Sequence, residues 1–259
     1  MVKSKTQYVC QACGATSPKW LGKCPQCNAW NSMEETLVEK SVGSARLANN
    51  TDGTPKIHKL IDVSPEKHNR VNSGIGELDR VLGGGMMPGS VILIGGEPGI
   101  GKSTLLLQLT IKNADKKVLY VAGEESAAQI KDRADRLGKV SANCYISTEL
   151  VVEHLNEQLK KERPDIIIVD SIQTLQSRNL ESIPGTISQI RETAYQLINM
   201  AKYLNVPLFL VGHITKSGNI AGPKVLEHMV DTVLQFEGEH TGQLRLLRTT
   251  KNRFGSTAE

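Results

Sequence analysis

Ten residues near the middle of the chain, Gly95 to Thr104, constrain the fold more than any other stretch. They read Gly-Gly-Glu-Pro-Gly-Ile-Gly-Lys-Ser-Thr. From Gly96 through Glu97, Pro98, Gly99 and Ile100 to Gly101, Lys102, Ser103 and Thr104 they match G-x-x-x-x-G-K-[ST], the phosphate-binding P-loop. Val91-Ile92-Leu93-Ile94 before it is an apolar run of strand character, and Leu105-Leu106-Leu107-Gln108-Leu109 after it continues as helix. Strand, glycine loop and helix together are the context this motif requires. The glycines let several backbone N–H groups converge on one anion, and the helix N-terminus adds its partial positive charge. Lys102 is placed to reach the β- and γ-phosphates of ATP, and Ser103 to ligate Mg2+. A Gly-rich turn that merely precedes a helix would not require Lys-Ser at this offset.

Such a loop sits in an α/β fold, and the rest of the chain follows suit. Strands are predicted at 91–95, 118–122, 143–147, 166–170 and 207–212, and helices at 103–112, 126–137, 149–162 and 185–203. This alternation predicts parallel strands joined by right-handed helical crossovers. Residues 231–237 and 243–249 read as a terminal hairpin turning around Gly238 to Gly242. The expected architecture is a three-layer α/β domain with a small zinc module in front.

That module is written in cysteines. Cys10-x2-Cys13 and Cys24-x2-Cys27 lie ten residues apart, the spacing of a four-thiolate Zn2+ site. Two disulfides and a redox-active C-x-x-C are the competing readings. The first ten residues are polar and lack the apolar core of a secretory leader, so a cytoplasmic, reducing location is expected, which disfavours disulfides. A fold this small needs its metal to stabilise it, and Trp20 and Trp30 are expected to pack around it. Cys144, in an apolar run, reads as an ordinary buried thiol.

The 259 residues suffice for one medium domain and an accessory module: 1–31 as the zinc module, 32–69 as a connector and 70–259 as the core. No apolar stretch approaches the ~20 residues of a membrane helix, so no membrane partner is expected. A net charge of +4 does not by itself argue for nucleic acid.

Further motifs point to nucleotide hydrolysis. The buried run Ile166 to Val169 ends in Asp170, placed to hold the Mg2+ shell through water or Ser103. Asp165, at its start, reads as structural. Gly123-Glu124-Glu125-Ser126 follows a strand whose carboxyl end is expected beside that of the P-loop strand. Glu124 is the first candidate to polarise the attacking water and Glu125 the second; an acidic first helical turn is the plainer reading. His213, leaving the strand next to that of Asp170, is either a γ-phosphate sensor or a simple loop residue. Residues 216–224, Gly-rich and basic, read as a loop that nucleotide state can order. On spacing alone, Lys251-Asn252-Arg253 reads as a solvated basic turn.

Together these motifs resemble the bacterial RadA/Sms family of RecA-related ATPases. The Glu-Pro-Gly-Ile P-loop, Gly-Glu-Glu-Ser, Gly-His-Ile-Thr-Lys, the segment 225–233, Lys251 to Gly255 and the four-cysteine module all match, so the resemblance covers essentially the whole chain. It implies a RecA-like core and a DNA-dependent ATPase motor acting on single-stranded DNA and branched recombination intermediates, in partnership with the RecA recombinase. It implies a homo-oligomer, a hexameric ring in intact family members, with Lys251 and Arg253 completing a neighbour's ATP site. Family members carry a further Lon-like C-terminal domain, and this chain stops at Glu259, which is expected to reflect truncation. Two other readings stay open: a RecA-fold signalling ATPase of KaiC type, and a zinc-containing nucleic-acid adaptor with a slow nucleotide switch.

Overall fold

A computed structural model of the chain describes residues 5–10, 12–38, 69–213, 224–238 and 244–257. The expectations for the connector, for the loop after His213 and for the hairpin turn fall largely on 39–68, 214–223 and 239–243, outside the described residues.

At the N-terminus β1 (Lys5–Cys10) pairs antiparallel with β2 (Thr16–Ser17) and with β3 (Met33–Val38). The module's sheet therefore runs on to Val38, past the end predicted at residue 31. Its buried centre is Cys10, Cys24 and Met33, with Tyr8, Cys13 and Ala15 packed against them. Trp20 and Trp30 are not part of it; they stand 56% and 73% exposed.

The main body follows from the apolar runs. Its helices are α1 (Gly76–Val81), α2 (Lys102–Lys112), α3 (Ala127–Leu137), α4 (Val152–Glu162), α5 (Ile187–Leu204) and α6 (Lys224–Met229). Its strands are β4 (Val91–Gly96), β5 (Val118–Ala122), β6 (Cys144–Ser147), β7 (Ile166–Asp170), β8 (Leu208–His213), β9 (Thr232–Gly238) and β10 (Arg245–Asn252). They form one sheet in the order β10-β9-β4-β8-β7-β5-β6, parallel except for the antiparallel β9–β10 pair. The hairpin extends the sheet as predicted.

Both faces of this sheet are covered, as a parallel sheet requires. Successive side chains alternate between faces. Val91, Leu93, Leu119, Val121, Ile167 and Val169 point into a core with α4, α5 and α6. Ile92, Ile94, Val118, Tyr120, Ile166 and Ile168 point into a core with α1, α2 and α3. That parity positions the site, because it sends Asp170, two residues past Ile168, toward the α2 face.

Candidate functional site

The P-loop spans the end of β4 and the start of α2. Gly101 caps α2 with a left-handed φ of 117°, a conformation that a side chain would strain. Lys102 is buried, and its Nζ donates to the carbonyls of Gly96 (2.8 Å) and Glu97 (2.9 Å). Burial pushes its pKa down, and the carboxylates of Asp170 and Glu124 oppose that shift. The ammonium is thus folded onto its own loop, with two carboxylates in electrostatic range. Glu97, Pro98 and Gly99 are exposed at the tip, Ile100 is half-buried, and Thr104 lies in the first turn of α2.

A small polar crevice gathers several predicted residues. It is lined by Ser103, Ala122, Glu124, Glu125, Ile130 and Asp170. One expectation needs correcting: β5 does not lie beside β4, because β8 and β7 stand between them. Glu124 nevertheless reaches the crevice. Val118, Tyr120 and Ala122 carry the parity that faces α2, and Glu124 continues it just beyond the strand.

The two glutamates have different surroundings. The Ser171 hydroxyl donates to Glu124 Oε1 at 2.6 Å, which fixes the carboxylate beside the end of β7. Glu125 is ion-paired with Arg133 of α3. Asp170 accepts a hydrogen bond from the Tyr120 hydroxyl. Burial and then the Asp170 charge push that phenol well above its ordinary range, so it stays a donor. Tyr120 and Ser171 went unsuggested by the sequence, since each acts across the sheet on a partner distant in the chain.

Arg245, at the start of β10, was also missed. Its Nη1 lies 2.9 Å from the position that a Cβ on Gly101 would occupy, so its guanidinium stands over the N-terminus of α2. With Leu244, Gly238 and the loop residues Glu97 to Ile100 it lines a cleft of about 250 Å3. A larger cleft, about 570 Å3, opens between α2, α3 and β6 with Leu107, Ile130 and Cys144 in its wall; it holds none of the predicted site residues. Cys144 is half-buried there rather than fully buried, and burial raises its pKa.

Of the other predicted residues, Lys251 and Arg253 do not line the crevice. The backbone of His213 pairs with Gly96, and β8 does adjoin β7 as expected. Lys251 and Arg253 lie at the far end of the sheet, where β9 begins and pairs with Ile92 and Leu93 of β4. Gly96 lies four residue steps beyond Ile92 along the strand, roughly 13 Å. Lys251 Nζ donates to the carbonyls of Glu227 (2.6 Å) and Val230 (2.8 Å) at the end of α6. Arg253 pairs with the buried Asp231 at 2.9 Å while its side chain stays 51% exposed. Asp231 in turn accepts the Val91 N–H. Asp165, at the start of β7, accepts the Lys117 N–H, a structural contact.

The four cysteines form a separate centre. Their sulfurs all lie within 4.8 Å of one another. Cys10 and Cys27 are 3.6 Å apart, and Cys13 and Cys24 are 3.5 Å apart. Disulfide sulfurs sit at about 2.05 Å, so these are not disulfides. A tetrahedron with Zn–S bonds of about 2.3 Å has edges of about 3.8 Å, close to these separations. Two matching knuckles present the thiols. The Gly14 N–H donates to the Cys10 carbonyl and the Asn28 N–H to the Cys24 carbonyl. Gly14 and Asn28 both have positive φ, which turns the backbone sharply after each second cysteine. Burial pushes the Cys10 thiol up, but the Ser32 hydroxyl and neighbouring amides outweigh it and hold it at about 6. The donor set fits zinc.

Comparison with known proteins agrees with both centres. Residues 8–35 match the rubredoxin metal-binding domain profile, and residues 71–152 match the KaiC ATPase profile. Over its full length the chain is 46% identical to the DNA repair protein RadA of Bacillus subtilis and 50% identical to that of Listeria monocytogenes. It is 48% identical to that of Streptococcus pyogenes. In each case it spans 57% of the relative's own length. Among the described residues no helix is long and apolar enough to cross a membrane.

Proposed function

The chain belongs to the RadA family of bacterial DNA repair proteins, and from that premise we propose that it is a DNA-dependent ATPase of recombination and repair. One observation carries the reading: the crevice that joins Ser103, Asp170 and Glu124 beside Lys102 and the P-loop. In this reading the loop amides and Lys102 hold the phosphates of ATP. To do so Lys102 exchanges the carbonyls of Gly96 and Glu97 for phosphate oxygens. Ser103 and Asp170 offer hard oxygen donors, which suit Mg2+; the ion would neutralise charge on the phosphates. Tyr120 orients the Asp170 carboxylate, and Ser171 orients that of Glu124. Glu124 then takes the proton of the attacking water.

The remaining assignments rest on the family. Single-stranded and branched DNA are the substrates, RecA is the partner, and ATP sites form between subunits of a ring. Within that ring Arg253 is the cation offered to the neighbour. The measurement that tests the reading is the ATP hydrolysis rate with and without single-stranded DNA. Stimulation is expected. Hydrolysis indifferent to DNA would favour a signalling ATPase, the reading that the KaiC profile match also accommodates.

A further inference from the structure

The chain has two tryptophans, and both stand exposed on the zinc module. Indole is large and apolar, so two rings left in water call for a physical account. Stability does not supply one, because neither ring belongs to the buried cysteine centre.

Their arrangement is specific. A Cβ added at Gly22 would lie 3.6 Å from the Trp20 ring, so that ring lies over the glycine. The Gly22 carbonyl accepts the Asn31 N–H at 2.8 Å. Lys23 forms an antiparallel bridge with Trp30, and its Nζ stands 5.6 Å from the Trp30 ring centroid. Lys23 and Trp30 are thus side by side, and the Trp20 ring lies against the neighbouring Gly22, all at the entry to the second cysteine knuckle, with exposed Lys19 beside Trp20. The charge is one-sided: the first 33 residues hold four lysines and neither Asp nor Glu.

We propose that Trp20, Lys23 and Trp30 form a stacking platform for single-stranded DNA. Flat rings accept unpaired bases of any identity, and lysines between them meet the phosphates. A duplex keeps its bases stacked inside and offers no such faces. Among the described residues of the module, Leu21 is the one large aliphatic side chain exposed near the rings. Polar Gln26, Asn28 and Asn31 are exposed around them, beside Pro18 and Pro25. The proposal rests on the DNA-dependent reading above and adds a second contact point to it, on the module rather than on the ATPase core.

Because the chain has no other tryptophan, its indole emission reports this platform alone. The test titrates the zinc-loaded chain with oligodeoxythymidine, following tryptophan emission and, separately, the anisotropy of a labelled oligonucleotide. Stacking should quench the emission. Trp20→Ala and Trp30→Ala should each weaken binding roughly tenfold, with zinc content and DNA-free ATP hydrolysis unchanged. Trp30→Phe should restore much of the affinity, which also guards against an alanine variant that misfolds. If the oligonucleotide binds while emission stays constant and the alanine variants bind like wild type, the platform is wrong and the DNA-dependent reading survives. Emission that ignores DNA but shifts with purified recombinase would replace the platform by a protein contact. If the chain binds no single-stranded DNA at all, the platform and the functional reading fall together.

Discussion

Glu124 and Glu125 are adjacent and chemically identical, yet the fold gives them different partners. Glu124 receives the Ser171 hydroxyl and exerts its charge on Lys102, so its carboxylate belongs to the P-loop crevice. Glu125 turns to Arg133 on α3. A half-exposed pair of that kind contributes ~1 kcal/mol or less. Glu124→Gln should keep ATP binding and lose about 100-fold or more in turnover, the contribution expected of a positioned base. Glu125→Gln should hydrolyse ATP near the wild-type rate. Steady-state hydrolysis beside a separate binding titration decides the matter, and the reverse pattern would move the water-activating role by one residue.

Between elements, the segment after β7 is held to α4 and α5 by side chains. Glu153 in the first turn of α4 accepts the Ser177 hydroxyl at 2.6 Å, the Gln196 amide at 3.1 Å and the Arg178 N–H at 3.2 Å. Buried Gln189 accepts the Ser177 N–H and donates to the Ser182 carbonyl. Burial pushes the Glu153 carboxyl up, but these donors outweigh it and hold it below the usual range. A carboxyl with a lowered folded pKa stabilises fully above its unfolded value, and that stability is lost as pH falls through the folded one. Glu153→Gln should therefore cost about 1–2 kcal/mol at neutral pH and flatten the loss of stability on acidification. Urea midpoints taken from pH 7 to pH 3 test this; parallel curves for variant and wild type would refute it. The same contacts show what a sequence hides. The P-loop, the strand ending in Asp170 and the doubled C-x2-C are legible because each is written in consecutive residues. The Tyr120–Asp170 bond and the Glu153 clasp join residues tens of positions apart, and nothing local announces them. The six-residue helices α1 and α6 are too short to show a period. Trp20 and Trp30 stay outside the core because the module's centre is a cysteine cluster rather than a packed aromatic one.

For the whole molecule, the direction of the sheet sets the P-loop and the Lys251–Arg253 pair at opposite ends. The P-loop lies at the carboxyl end of β4, whereas Lys251 and Arg253 lie beside its start. Neither cation can reach its own chain's phosphates across roughly 13 Å of strand. In a head-to-tail assembly one end of each subunit faces the other end of the next, which gives such a cation a P-loop to serve. The pair is not equivalent: Lys251 spends its ammonium on two carbonyls of its own α6 corner, while Arg253 remains half exposed beside Asp231. Lys251→Ala should accordingly lower stability more than turnover. Arg253→Ala should keep nucleotide binding and lose DNA-stimulated hydrolysis by ~1000-fold or more, the scale of a trans-acting arginine. Mixing supplies the decisive measurement. On the proposed reading Lys102→Ala lacks the P-loop cation and Arg253→Ala the trans-acting one, so each should be inactive alone. In randomly mixed rings roughly a quarter of the interfaces would join an intact P-loop to an intact Arg253. Activity should return to a comparable fraction on mixing. If mixed oligomers demonstrably form and activity stays at the level of the separate variants, Arg253 serves only its own chain, clamping Asp231 against the start of β4.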